Sequence, residues 1–192
     1  MRTLRIVRTV FVRTVLVSTV VAMLFAASPV RAQETPAPTE QHKWLDQLVG
    51  EWETSSEATF APGMPPIKCE GKETVRKLGG FFTISEHVGN VMGTEMTGVM
   101  TLGYDAEKKK YIGTWVDSMT NHMWHYVGTM DDAGKVLTLE AEGPNPLAAG
   151  KKTKFRDVIE IKSKDHKVMT SSMLGEDGKW MEFMTANYKR KK

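Results

Sequence analysis

From Glu51 onward the chain is interrupted at short intervals by turn chemistry: "APGMPP", "GG", "GNVMGT", "DAEKKK", "MTNH", "DDAG", "GPNPLAAGKK", "SKD" and "GEDG". The stretches between them read as strands at 51–60, 67–78, 81–88, 95–104, 111–118, 123–130, 135–142, 153–162, 166–174 and 179–189. Almost every connection is too short for the crossover that parallel pairing needs, so neighbours in sequence are expected to pair antiparallel. Ten strands in meander order would leave two long edges if the sheet stayed open, and closure removes both. The expected fold is all-β: an antiparallel up-and-down, calycin-like β-barrel of about ten strands.

One short helix precedes it. In "TEQHKWLDQLVG" (39–50), Thr39 is placed to cap the start, Trp44, Leu45 and Leu48 share a face, and Gly50 closes the segment. "LVGEW" (48–52) then reads as helix stop, tight turn and a Trp anchor plugging one end of the barrel. His42 on the helix and His166 at a turn are read as surface residues.

The first thirty-two residues read as a signal peptide rather than as fold. Arg2, Arg5, Arg8 and Arg13 form a basic n-region, "VLVSTVVAMLFAAS" (15–28) is an apolar h-region, and "VRA" (30–32) supplies the small residues of a cleavage site. The cut is expected after Ala32, placing the protein in the periplasm or outside the cell, with no membrane span after cleavage. Residues 33–40, "QETPAPTE", form a flexible linker, and 41–190 a single barrel domain. Five of the 26 basic residues belong to the leader, so 21 remain against 23 acidic ones, a formal charge of −2. With no basic face along the body, no nucleic-acid partner is expected. Cys69 is the lone cysteine, so no intramolecular disulfide holds the fold.

Side chains alternate along a strand, which assigns faces wherever apolar and polar residues alternate. In "KFRDVIEIK" (154–162), Phe155, Ile159 and Ile161 share the inward face with Asp157. In "KVLTLEAE" (135–142), Leu137, Leu139 and Ala141 point in. In "FFTISEHV" (81–88), Phe82, Ile84 and Val88 carry Glu86 inward with them. The even-length loop "DAEKKK" (105–110) pairs Tyr104 with Tyr111, Leu102 with Gly113, Met100 with Trp115 and Gly98 with Asp117. Met96, Met100, Trp115 and Asp117 therefore face inward. If "DDAG" (131–134) is a four-residue turn, Gly128 pairs with Leu137 and Tyr126 with Leu139. His122, Trp124 and Tyr126 then line the interior, whereas a one-residue slip would turn them outward.

The chemistry open to these residues is limited. His122 and His125 stand at H-x-x-H spacing, but on a strand they point to opposite faces. Met119, His122 and Met123 offer thioether and imidazole, which suit Cu(I), yet methionine serves more often as adaptable core filler; no metal site is assigned. No G-x-S-x-G elbow, P-loop, H-E-x-x-H or dinucleotide fingerprint occurs, and no catalytic residue is assigned.

Three stretches, "HKWLDQLVGEWE" (42–53), "LGGFFTISEHVGNVMGTEMTGVMTLGYD" (78–105) and "KKYIGTWVDSM" (109–119), resemble a widespread bacterial family of uncharacterised secreted proteins. Its members share L-x-G-x-W, a Gly-Tyr-Asp turn and a Trp-x-Asp strand. The matching positions here are Leu48, Gly50 and Trp52; Gly103, Tyr104 and Asp105; and Trp115 and Asp117. The family is similar to calycin-type (lipocalin and nitrobindin-like) barrels, which implies the same fold and carries no activity with it. Some nitrobindin-like barrels bind haem through a histidine on a late strand. The last strand here, "KWMEFMTANYKR" (179–190), has none, so neither haem nor another cofactor is expected.

The leading expectation is a non-catalytic barrel that binds a small apolar or amphipathic molecule. Met96, Met100, Trp115, His122, Trp124 and Tyr126 would supply the wall, with Glu86, Asp117 and Asp157 orienting a polar end. Two alternatives stay open: an enzyme using the interior carboxylates, or a structural or interaction barrel whose interior is filled by side chains.

Overall fold

All ten segments delimited by turn chemistry are strands in the computed structural model, which describes residues 36–59 and 63–192. They are β1 (Gly50–Ala58), β2 (Ile67–Leu78), β3 (Phe82–Val91), β4 (Thr94–Asp105), β5 (Lys110–Asp117), β6 (Trp124–Met130), β7 (Val136–Pro144), β8 (Lys152–Ser163), β9 (His166–Leu174) and β10 (Trp180–Arg190). Each pairs antiparallel with its neighbour in sequence, and β1 pairs with β10, closing the barrel. The ladder thus has no free edge. The expected signal peptide, 1–32, lies outside the described residues.

One end is plugged by α1 (Glu40–Trp44), which runs into a 3-10 turn, Leu45–Leu48. Leu45, Leu48 and Trp52 are almost wholly buried there, against Val75, Leu102, Tyr111 and Leu137. The indole of Trp52 donates to the Leu48 carbonyl at 2.8 Å, and that of Trp44 donates to the Gly134 carbonyl at 2.8 Å. The Arg190 guanidinium donates to the carbonyls of Val49 and Gln47 at 2.5 and 2.9 Å, satisfying acceptors the short helix leaves open. His42, expected at the surface, is buried. Its Nδ1 accepts the Thr39 amide at 3.0 Å, and its ring packs edge-on to Phe81 and Tyr104.

Register follows the sequence in one hairpin and departs from it in another. Between β4 and β5, Met100 pairs with Trp115 and Gly98 with Asp117, as the even loop dictates. Between β6 and β7, Gly128 pairs with Leu139 and Met130 with Leu137, two residues from the expected register. The carboxylate of Asp131 accepts the amides of Lys135 and Val136, and the Asp131 amide bonds the Val136 carbonyl, which moves the turn one place along. A two-residue offset preserves parity, so Trp124 and Tyr126 still face inward.

The face of β3 is reversed relative to the expectation. Glu86 has a 62% exposed side chain, and Phe82 and Val88 lie outside with it. Thr83 and Ser85 are buried instead, and His87 shares their face. In register, His87 stands opposite Glu73 and Ser85 opposite Val75, both buried on β2. The interior at this wall is polar, so hydrophobic alternation points the wrong way.

Candidate functional site

The barrel encloses a cavity of about 850 Å³ that reaches the end opposite the helix, where Thr120, Asn121 and Pro146 line it. Eight of the nine residues expected at a binding site line it: Met96, Met100, Trp115, Asp117, His122, Trp124, Tyr126 and Asp157. Glu86 does not, because it lies on the outer face.

Two tryptophans stand in the wall, and glycines on the neighbouring strands make room for them. A Cβ at Gly98 would collide with the Trp115 ring, and one at Gly143 with the Trp124 ring. Trp124 also packs edge-on to Phe155 at 4.6 Å and to His122 at 4.8 Å. His125 is exposed, so the two histidines do part to opposite faces. Met119 and Met123 are about half exposed in the β5–β6 loop, and among the described residues no cluster of three or more His, Cys, Asp or Glu could hold a metal ion.

Three carboxylates face the cavity in different company. Asp117 accepts the Trp115 indole and the amides of Met119 and Thr120, each at 2.8 Å, so it orients the wall and folds the loop at the mouth. Asp157 accepts the Tyr126 hydroxyl at Oδ2 and the Ser171 hydroxyl at Oδ1, each at 2.5 Å. Burial pushes its carboxyl above the usual range, an effect the two hydroxyl donors only partly offset. Tyr126 is pushed well above its ordinary value, by burial first and then by the negative Asp157.

Glu73 is the third, and sequence reasoning missed it. Lys167 donates to its Oε2 at 2.5 Å, Ser85 donates to Oε1 at 2.5 Å, and His87 Nε2 lies 3.1 Å from Oε1. Burial alone would push the Glu73 carboxyl up, but Lys167 and His87 together outweigh it and hold the group at about 2. Lys167 is pushed below its ordinary value because desolvation exceeds the attraction of Glu73. The ammonium also lies 4.7 Å from the Trp52 ring centroid and 4.5 Å from that of Tyr188, within cation–π reach. Cys69, Ser171 and Tyr188 are among the further lining residues that the sequence reading did not assign. The parity of β2 around buried Val75 is the one sequence signal that could have placed Cys69 and Glu73 inside.

The family model described as "Protein of unknown function (DUF1579)" matches residues 37–190. The chain belongs to that family. No curated protein matches it. Among solved structures it is similar to Rv2717c from M. tuberculosis, at 16% identity and a TM-score of 0.61, over 81% of this chain and 100% of that chain. The redesigned β-barrel mFAP0 bound to DFHBI is 12% identical, with a TM-score of 0.43 over 75% of this chain and 99% of that one. At such identities the likeness to Rv2717c shows the barrel fold alone.

Proposed function

We propose that this DUF1579 protein is an exported barrel that takes up one small, largely apolar molecule without transforming it. The observation carrying the reading is the cavity: about 850 Å³, walled by Met96, Met100, Trp115, Trp124 and Phe155, and reaching the open end. Volumes of a few hundred to about 1,000 Å³ with apolar walls and few polar groups are what drug-sized ligands occupy. A barrel filled by its own side chains would leave no such space. The resemblance to a secreted family similar to calycin-type barrels, carried by the L-x-G-x-W, Gly-Tyr-Asp and Trp-x-Asp positions, fits the same reading. Export rests on the basic and apolar pattern of residues 1–32.

Native mass spectrometry of protein purified gently from its own periplasm, followed by titration with an apolar fluorescent probe, tests this. A bound mass, or saturable one-to-one probe binding, is expected. A bare chain that binds no apolar probe saturably would return the barrel to a structural role. A second reading, catalysis, has one observation behind it: Asp157, with its raised carboxyl, faces the cavity beside Tyr126. Turnover abolished by Asp157→Asn would select it.

A further inference from the structure

We propose that the molecule held in the cavity is an apolar organic cation, an amine whose ammonium head pairs with Asp157 in a cavity walled by the rings of Tyr126 and Trp115. This deepens the binding reading above and rests on it. The starting point is the charge balance of the interior. Lys167 faces the cavity but is already held by Glu73 at 2.5 Å. Lys72 reaches the lining from an exposed position on β2. Asp157 has only neutral hydroxyl partners, and among the described residues no cation pairs with it. Asp117 likewise receives only indole, amide and hydroxyl donors. Two carboxylates thus face the cavity with no counter-charge, and its buried ammonium has none to spare.

A buried carboxylate without a cation is costly, and an ammonium supplies what is missing. An ionised carboxylate offers about four acceptor positions, of which Tyr126 and Ser171 occupy two, so ammonium N–H donors have room on both oxygens. The aromatic wall favours the same sign of charge. Ring faces are negative and attract a desolvated ammonium, and Tyr126 and Trp115 line the cavity with Asp157, whereas Tyr188 already has Lys167 over its ring. An anionic head such as a fatty acid carboxylate would meet these two carboxylates, and among the described residues the buried ammonium of the cavity, Lys167, is already held by Glu73.

Dodecylamine, dodecanol and dodecanoate carry one chain and three heads. Their dissociation constants, measured at neutral pH by displacement of the apolar probe, isolate the head group. The amine should bind about tenfold or more tighter than the alcohol, as a charge-assisted hydrogen bond implies, and dodecanoate should bind weaker than the alcohol. Asp157→Asn should reduce the amine's advantage over the alcohol to within about twofold. The wild-type series stands without any variant, should Asp157→Asn fold poorly. Equal affinity for amine and alcohol, or preference for dodecanoate, would overturn the inference while sparing the binding reading. Displacement by none of the three would overturn the inference alone, and a chain that binds no apolar probe saturably would overturn both.

Discussion

Replacing Lys167 with methionine removes the ammonium that Glu73 holds while roughly keeping the length and apolar stem of the side chain. Both partners have side chains only 5% exposed, so solvent offers Glu73 little substitute. The Glu73 carboxyl at about 2, against an ordinary 4.5, corresponds to about 3 kcal/mol at about 1.36 kcal/mol per unit. His87 supplies part of this and remains in the variant. Breaking a buried pair from one side costs about 3–5 kcal/mol, because a charge is left buried and alone. The expected loss in urea denaturation at pH 7 is therefore about 3 kcal/mol, a fall of roughly 6–12 °C in melting temperature for a domain of this size. The sign with pH follows from the depressed carboxyl. In the wild type the contribution is complete above about pH 4.5 and is lost as pH falls toward 2. In Lys167→Met, burial pushes Glu73 up, so this acid-side loss should shrink or reverse. Adding Glu73→Gln should restore more than half of the lost stability. A single variant costing less than about 1 kcal/mol, or a double variant no better than the single, would refute the reasoning.

Asp157 titrates in the opposite sense. Its carboxyl is raised, so stability is lost as pH rises through the folded value, and Asp157→Asn should remove that slope in urea titrations between acid and neutral pH. A slope unchanged by the substitution would mean another group sets it. Gly143→Ala drives a methyl into the Trp124 ring and should cost about 1–3 kcal/mol, with a changed near-ultraviolet circular dichroism spectrum and weaker probe binding. Retained stability and binding would show that the ring has room to move. Glu86→Gln, on the outer face, should change stability by less than about 0.5 kcal/mol and leave probe affinity unaltered. A clear loss of affinity would place that side chain inside.

The site is more legible in the sequence on some strands than on others. Trp115 and Asp117 are legible because Met96, Met100 and Leu102 mark one face of β4 and the even loop carries that parity across to β5. Trp124, Tyr126 and His122 survive an error in register because the offset is two residues rather than one. Glu86 is misplaced because alternation reports that two faces differ, not which of them is inside. On β3 the apolar set Phe82, Ile84 and Val88 faces out, while Thr83, Ser85 and His87 face a polar wall.

Strand boundaries, meander order and the closed barrel follow from the chain alone, because turn chemistry and two-residue periodicity act over a few neighbouring residues. The polar floor depends on contacts at long range. Lys167 and Glu73 are 94 positions apart and meet only across the closed barrel, and Asp157 reaches Tyr126 over 31. Whether the interior is full or hollow depends on how far Trp115 and Trp124 settle onto Gly98 and Gly143 of the neighbouring strands, a matter of packing that alternation does not report. Periodicity carries parity along a strand, but closure brings distant side chains together and thereby sets their charge and the space between them.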